Sequence, residues 1–233
     1  MARVIAALIR HGEYQQQAYA PSAHQPYALT AAGKAEVLDQ AERFASFVER
    51  KTWQVADRID SSNMLRAWQT AMIFVESLYQ HKMPSTLIDS FDALAERSVG
   101  AVANLTVAQI EKLIVEDPRY QEAPPDWKSN SDYCLPFQGA ESLMQAGARV
   151  AGHLQQQMNR LLATADVDTV KLFVGHGAAF RHAAYHLGIL SFEQLAQLSM
   201  HYAQPVLIEY VGDNSWRHIG GNWKTRRTDD GLD

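Results

Sequence analysis

Six apolar residues in a row, Val4 to Ile9, run straight into Arg10-His11-Gly12. A strand with one wet face alternates apolar and polar side chains, so an unbroken run must be covered on both sides. A parallel sheet sandwiched between helices supplies that cover. Val170–Val174 reads as a second buried strand, and it runs into Gly175-His176-Gly177.

Helical patterns separate these runs. A helix is expected after Thr30, a good N-cap, with Val37, Ala41, Phe44 and Val48 as its apolar stripe. Asp57–Ser61 reads as a strand, followed by a helix capped by Ser62 or Asn63 that carries Ala67, Ala71, Phe74 and Leu78. A strand near Thr86–Ile88 leads into a loop over Asp89–Ala103, and a helix from Thr106 to Val115 stops before Asp117-Pro118. Residues 117–140, with four prolines, read as irregular. The longest helix is expected over Glu141–Ala163, with Leu143, Gly147, Val150, Leu154, Met158 and Leu161 on one face. Another follows His176, and Pro205–Val211 with Trp216–Ile219 form a late strand pair. Strands alternating with helices define an α/β class, a three-layer αβα sandwich with a largely parallel central sheet. One domain is expected over residues 1–228, ahead of a loose tail at 229–233.

Composition excludes several function classes. Among 233 residues the charge balance is −5, with no basic block, which argues against a nucleic-acid partner. The N-terminal apolar run is shorter than a signal-peptide core, and no later stretch is long enough for a membrane span. With one cysteine, Cys134, there is no internal disulfide to form. The expected location is therefore cytoplasmic, with no membrane partner.

Ligands of such sheets gather beyond the carboxyl ends of the strands, where both histidines emerge. If the two strands are neighbours, the imidazoles converge, and each is followed by a glycine that lets backbone approach a ligand. Arg66 falls in the first turn of a helix, where partial positive charge already accumulates, so its placement makes sense when an anion shares the site. Arg10, His11, Arg66 and His176 together point to a phosphoryl pocket: two guanidinium forks for the oxygens and a neutral imidazole as nucleophile. The leaving alkoxide then calls for a nearby carboxylic acid.

Arg10-His11-Gly12-Glu13, Leu29-Thr30 with Gly33, Ser62 to Arg66-Ala67 with Thr70-Ala71, Leu94-Ala95-Glu96-Arg97 with Gly100, Glu141-Ser142-Leu143 with Arg149-Val150, and Gly175-His176-Gly177 occur in that order. This series resembles the histidine phosphatase superfamily, also called phosphoglycerate mutase-like, over roughly residues 3–211. The resemblance implies a phosphohistidine on His11. Arg10, Arg66 and His176 then hold the phosphoryl group with help from Gly12 and the Gly177 N–H, and Glu96 matches the proton donor. Asp92 and Glu13 compete with Glu96 for that last role. No metal and no cofactor are implied, and the partner is a small phosphorylated substrate, or a phosphoprotein in one branch of the superfamily.

Departures from the glycolytic mutases favour hydrolysis over transfer. Where those enzymes carry a Tyr three residues after the acid, this chain has Val99, and Tyr14–Gln17 lacks their Trp-Asn pair. Two loops, 14–28 and 97–140, are expected to set specificity. Of their aromatics, Trp127 and Phe137 read as packing over the core.

Rival chemistries are weaker. Asp166-Val167-Asp168 precedes a strand rather than leaving one, so it reads as a polar turn. Cys134 lacks the Arg six residues on that a cysteine phosphatase needs, since that position is Ala140. His182 and His186 share a helix face, but no further ligand completes a zinc set.

Overall fold

A computed structural model describes residues 2–21, 24–83 and 86–226; the expected tail at 229–233 lies outside the described residues. Strand β1 (Val4–Arg10) leads to helix α1 (Ala31–Lys51), the two-residue strand β2 (Gln54–Val55), β3 (Arg58–Ser62) and α2 (Leu65–Gln80). Next come β4 (Leu87–Phe91), two short 3₁₀ turns at Asp92–Leu94 and Gly100–Val102, α3 (Val107–Glu116) and α4 (Leu143–Thr164). The chain finishes with β5 (Thr169–Gly175), α5 (Gly177–His186), α6 (Phe192–Gln197), β6 (Leu198–Met200), β7 (Val206–Gly212), β8 (Ser215–Gly220) and β9 (Trp223–Thr225).

The central sheet runs β4-β3-β5-β1-β7-β8, with β2 also paired to β5. The four strands from β4 to β1 are parallel, while β7 and β8 join antiparallel at the far edge. β7 and β8 are linked by Asp213-Asn214, both left-handed, as a tight hairpin requires. The unbroken apolar run of β1 is covered on both faces. Ile5, Ala7 and Ile9 pack under α1 and α2, whereas Val4, Ala6 and Leu8 face α4 and α5. One layer of helices covers each face, which makes the three-layer sandwich.

Helix ends follow local chemistry. The side chain of Thr30 accepts from the Gly33 N–H at the start of α1, and Thr106 and Ser142 close capping boxes on α3 and α4. At α2 the expected caps are wrong: Met64 takes that position without a side-chain bond, because β3 extends through Ser62. The strand read near Thr86–Ile88 is shifted, continuing to Phe91. Lys171, the one charge inside β5, is held by Asp60 at 2.6 Å and by the Arg58 carbonyl at 3.0 Å, while His153 takes the other Asp60 oxygen at 2.8 Å.

A separate small core, built of Val99, Val102, Ile110, Ile114, Trp127 and Leu135, holds the 97–140 segment together as a cap. Trp127 is 1% exposed and Phe137 packs against the same cluster, as their packing reading anticipates.

Candidate active site

β1 and β5 are adjacent and parallel, with Arg10 opposite Gly175. The next residue of each chain is therefore a histidine at the same level, and the rings of His11 and His176 lie 5.1 Å apart. β3 pairs with β5 on the other side, so α2, which starts just after β3, delivers Arg66 to the same spot. Arg10 leaves the end of β1 itself. All four side chains are at least 94% buried.

The hydrogen bonds define the imidazole tautomers. His11 Nδ1–H donates to the Gly12 carbonyl at 2.7 Å, which leaves Nε2 with its lone pair. That nitrogen accepts from Arg66 Nε at 3.2 Å. Arg66 also donates from Nη1 to the Gln25 carbonyl at 2.9 Å and from Nη2 to His176 Nδ1 at 3.3 Å. His176 Nε2–H in turn donates to Ser62 Oγ at 3.0 Å. Burial, then the neighbouring Arg66, hold both imidazoles well below the usual histidine pKa, so both are neutral at physiological pH. Burial also lowers the Arg66 pKa.

Tyrosines brace the two guanidiniums. Arg66 lies over the Tyr14 ring at 4.4 Å, and Arg10 over Tyr202 at 4.2 Å, with Arg10 Nη1 donating to the Met200 carbonyl at 2.9 Å. Tyr202 reaches that position through Ala203, a non-glycine residue in the left-handed region whose N–H donates to the Arg10 carbonyl at 2.8 Å.

The glycines serve packing as much as ligand approach. A Cβ on Gly12 would sit 2.4 Å from Val37, and the Gly12 N–H donates to Thr70 Oγ1 at 3.1 Å. A Cβ on Gly177 would sit 3.0 Å from Arg10 Cδ, so this glycine lets Arg10 lie across the start of α5.

Glu96 enters from the 3₁₀ turn after β4. The preceding Leu94 carbonyl packs where a Cβ on Gly175 would meet it at 3.2 Å, which ties the turn to the end of β5. Its charge is felt at Arg66 and Arg97. Each of the three candidate carboxylates accepts a hydrogen bond: Glu96 from the Arg97 N–H at 2.9 Å, Glu13 from Thr30 Oγ1 at 2.7 Å, and Asp92 from Asn63. Beside the site lies a cleft of about 750 Å³ bordered by His24, Gln25, Ala95, Asn63, Asp92 and Glu141.

Several neighbours escaped the sequence reading. Gln25, Met200 and Tyr202 act through backbone carbonyls or a ring, from segments without periodicity. Ser62 carried a signal, but as a cap rather than as the partner of His176. Among the described residues, no group of three or more His, Cys, Asp or Glu side chains is arranged to hold a metal ion, and none of the helices is long and apolar enough to cross a membrane. His182 and His186 turn to different partners, Ser131 and the Met144 carbonyl.

Two imidazoles and two guanidiniums thus gather beyond the carboxyl ends of parallel strands, in an α/β sandwich of the phosphoglycerate mutase-like type. The model of the histidine phosphatase superfamily (branch 1) matches residues 6–221, and the chain belongs to that family. No curated protein sequence matches it. Among solved structures, phosphoglycerate mutase from Bacillus anthracis is similar with a TM-score of 0.69 at 15% identity, covering 94% of this chain and 93% of that one. A mycobacterial glucosyl-3-phosphoglycerate phosphatase gives 0.65 at 18% identity, covering 93% and 96%. The alpha-ribazole phosphatase from Shigella flexneri gives 0.62 at 17%, covering 92% and 94%.

Proposed function

We propose that this chain is a metal-independent phosphomonoesterase working through a phosphohistidine on His11, with small phosphorylated molecules as substrates. The observation that carries the reading is the lone pair of His11 Nε2, aimed at Arg66 within the cluster that also holds Arg10 and His176. A neutral imidazole is the nucleophilic form, and the low pKa keeps it available at physiological pH.

In the first half-reaction Nε2 attacks phosphorus in line, and the bond from phosphorus to the ester oxygen breaks. Arg10, Arg66, His176 and the first amide of α5 hold the non-bridging oxygens, where electrostatic stabilisation does most of the work. Glu96 gives its proton to the departing alkoxide, which leaves through the adjoining cleft. In the second half-reaction the Glu96 carboxylate takes a proton from water, whose oxygen attacks phosphorus and releases free phosphate and His11.

Hydrolysis is favoured over transfer because a mutase must keep water from its phosphoenzyme. At the position of the mutases' tyrosine this chain has Val99, buried in the cap and bridged to Ala140. Both phosphatases and a phosphoglycerate mutase share the fold, so the preference for hydrolysis rests on this departure. Acid-labile, base-stable labelling from a phosphate donor, absent in His11→Ala, is the expected result. Full activity in His11→Ala would remove the mechanism, and transfer of phosphate to an added acceptor in place of release would make the chain a phosphotransferase.

A further inference from the structure

We infer that Arg149 and Glu141 form a positioning pair that grips the backbone on both sides of Glu96 and so holds its carboxyl at the leaving oxygen. The inference rests on the reading of Glu96 as proton donor. Arg149 sits in the second turn of α4. Its Nη1 donates to the carbonyls of Asp92 at 3.1 Å, Ala93 at 2.9 Å and Ala95 at 3.2 Å, three oxygens of the turn that immediately precedes Glu96. Its Nε and Nη2 hold Glu141.

Glu141 then reaches the other side. Its Oε1 accepts from the Ser98 N–H at 3.0 Å, and its own N–H donates to the Ser98 carbonyl at 2.9 Å. Residues 92–95 and residue 98 are thus tied to one guanidinium–carboxylate unit at the start of α4, with Glu96 between them. The segment has little regular structure of its own: a single-turn 3₁₀ helix, Ala95 already extended, then irregular chain to Ser98. A short 3₁₀ turn with poor hydrogen-bond geometry needs outside support to hold one shape. The fork of an arginine supplies several donors in a fixed plane, which a lysine does not.

A proton donor works only within reach of the oxygen it serves, and a displacement of about 1 Å can cost on the order of 10²-fold. The demand depends on the leaving group. An alkoxide must be protonated as it departs, whereas p-nitrophenolate leaves without a proton.

The experiment compares kcat/KM of the full-length protein on glycerol phosphate and on p-nitrophenyl phosphate for Glu96→Gln, Arg149→Met, Arg149→Lys and Glu141→Gln. Glu96→Gln is expected to lose about 10²-fold or more on the alkyl ester and far less on the aryl ester. Arg149→Met should show the same selectivity at about 30-fold, with inhibition by phosphate changed less than about threefold. Arg149→Lys and Glu141→Gln should lie between Arg149→Met and the unaltered protein, and they keep the test open should Arg149→Met fail to fold. Equal losses on both esters in the Arg149 and Glu141 variants, with Glu96→Gln still selective, would overturn the positioning role. Equal losses in Glu96→Gln itself would overturn the assignment of the acid, and the inference with it.

Discussion

Arg66 Nε lies 3.2 Å from His11 Nε2, so the guanidinium sits beside the atom assigned to attack phosphorus. The same fork reaches His176 at 3.3 Å, and its third nitrogen is fixed by the Gln25 carbonyl. An ammonium on a flexible stem cannot reproduce three directed contacts while stacked on Tyr14. Arg66→Lys is therefore expected to lower kcat/KM by about 10²-fold or more, with phosphate inhibition weakened in parallel. Steady-state kinetics on any turned-over phosphoester checks this, and a loss below tenfold would remove Arg66 from the clamp.

His176 should make anion binding proton-linked. Its Nε2–H is used on Ser62, and its Nδ1 accepts from Arg66. A dianion's oxygen brought to Nδ1 accepts, and protonation of the ring supplies that donor while Nε2–H stays on Ser62. Burial and the flanking cations keep the resting ring neutral, and a dianion reverses that balance. Binding should thus take up protons near pH 7 and weaken as the pH rises. Sulfate is the probe, since it does not titrate in this range. Calorimetry in two buffers of different ionisation enthalpy should show proton uptake that shrinks in His176→Asn. Heats independent of buffer would contradict the linkage.

Much of this site could be read from the chain because its key residues sit at the ends of regular elements. The register of β1 against β5 converts two distant strand-end histidines into neighbours, and the first turn of α2 does the same for Arg66. What stayed hidden was what those side chains lean on. Gln25 and Met200 act through carbonyls, which every residue has, and Tyr202 comes from a kink at Ala203 that no pattern announces. β2, β6 and β9 are two or three residues long and carry no period. The cap expected at Ser62 fails for a physical reason: its hydroxyl serves His176, and β3 runs one residue further than its apolar content indicates.

His182 should make the protein sensitive to mild acid. It lies buried in α5, with Nδ1–H donating to the Ala178 carbonyl at 2.8 Å and Nε2 bonded to Ser131 of the cap at 3.1 Å. Burial brings its pKa down to about 4. The unfolded chain, with a pKa near 6.5, takes the proton first as the pH falls. The stability this residue contributes above pH 6.5 is thus lost progressively toward pH 4, by up to about 3 kcal/mol. Urea denaturation at pH 7 and 4.5 should show a smaller acid loss in His182→Gln than in the unaltered protein. An identical loss in both would assign the acid sensitivity to other groups.

Gly147 and Gly152, both on α4, should respond in opposite ways to the same substitution. Alanine in place of glycine inside a helix normally stabilises by roughly 1 kcal/mol. Nothing lies within 4 Å of a Cβ built on Gly152, so Gly152→Ala should show that gain. A Cβ on Gly147 would sit 2.4 Å from His182 Cβ and 2.6 Å from the His182 carbonyl carbon, which is backbone and cannot swing aside. Helix α5 must withdraw, at a cost of about 1–3 kcal/mol for overpacking. Because α5 begins directly after His176, that displacement should reach the imidazole and the proposed phosphoryl clamp. Gly147→Ala should therefore lower both the urea midpoint and kcat/KM, whereas Gly152→Ala raises the midpoint and leaves turnover alone. A stabilised, fully active Gly147→Ala would mean that the α4–α5 contact does not set the position of His176.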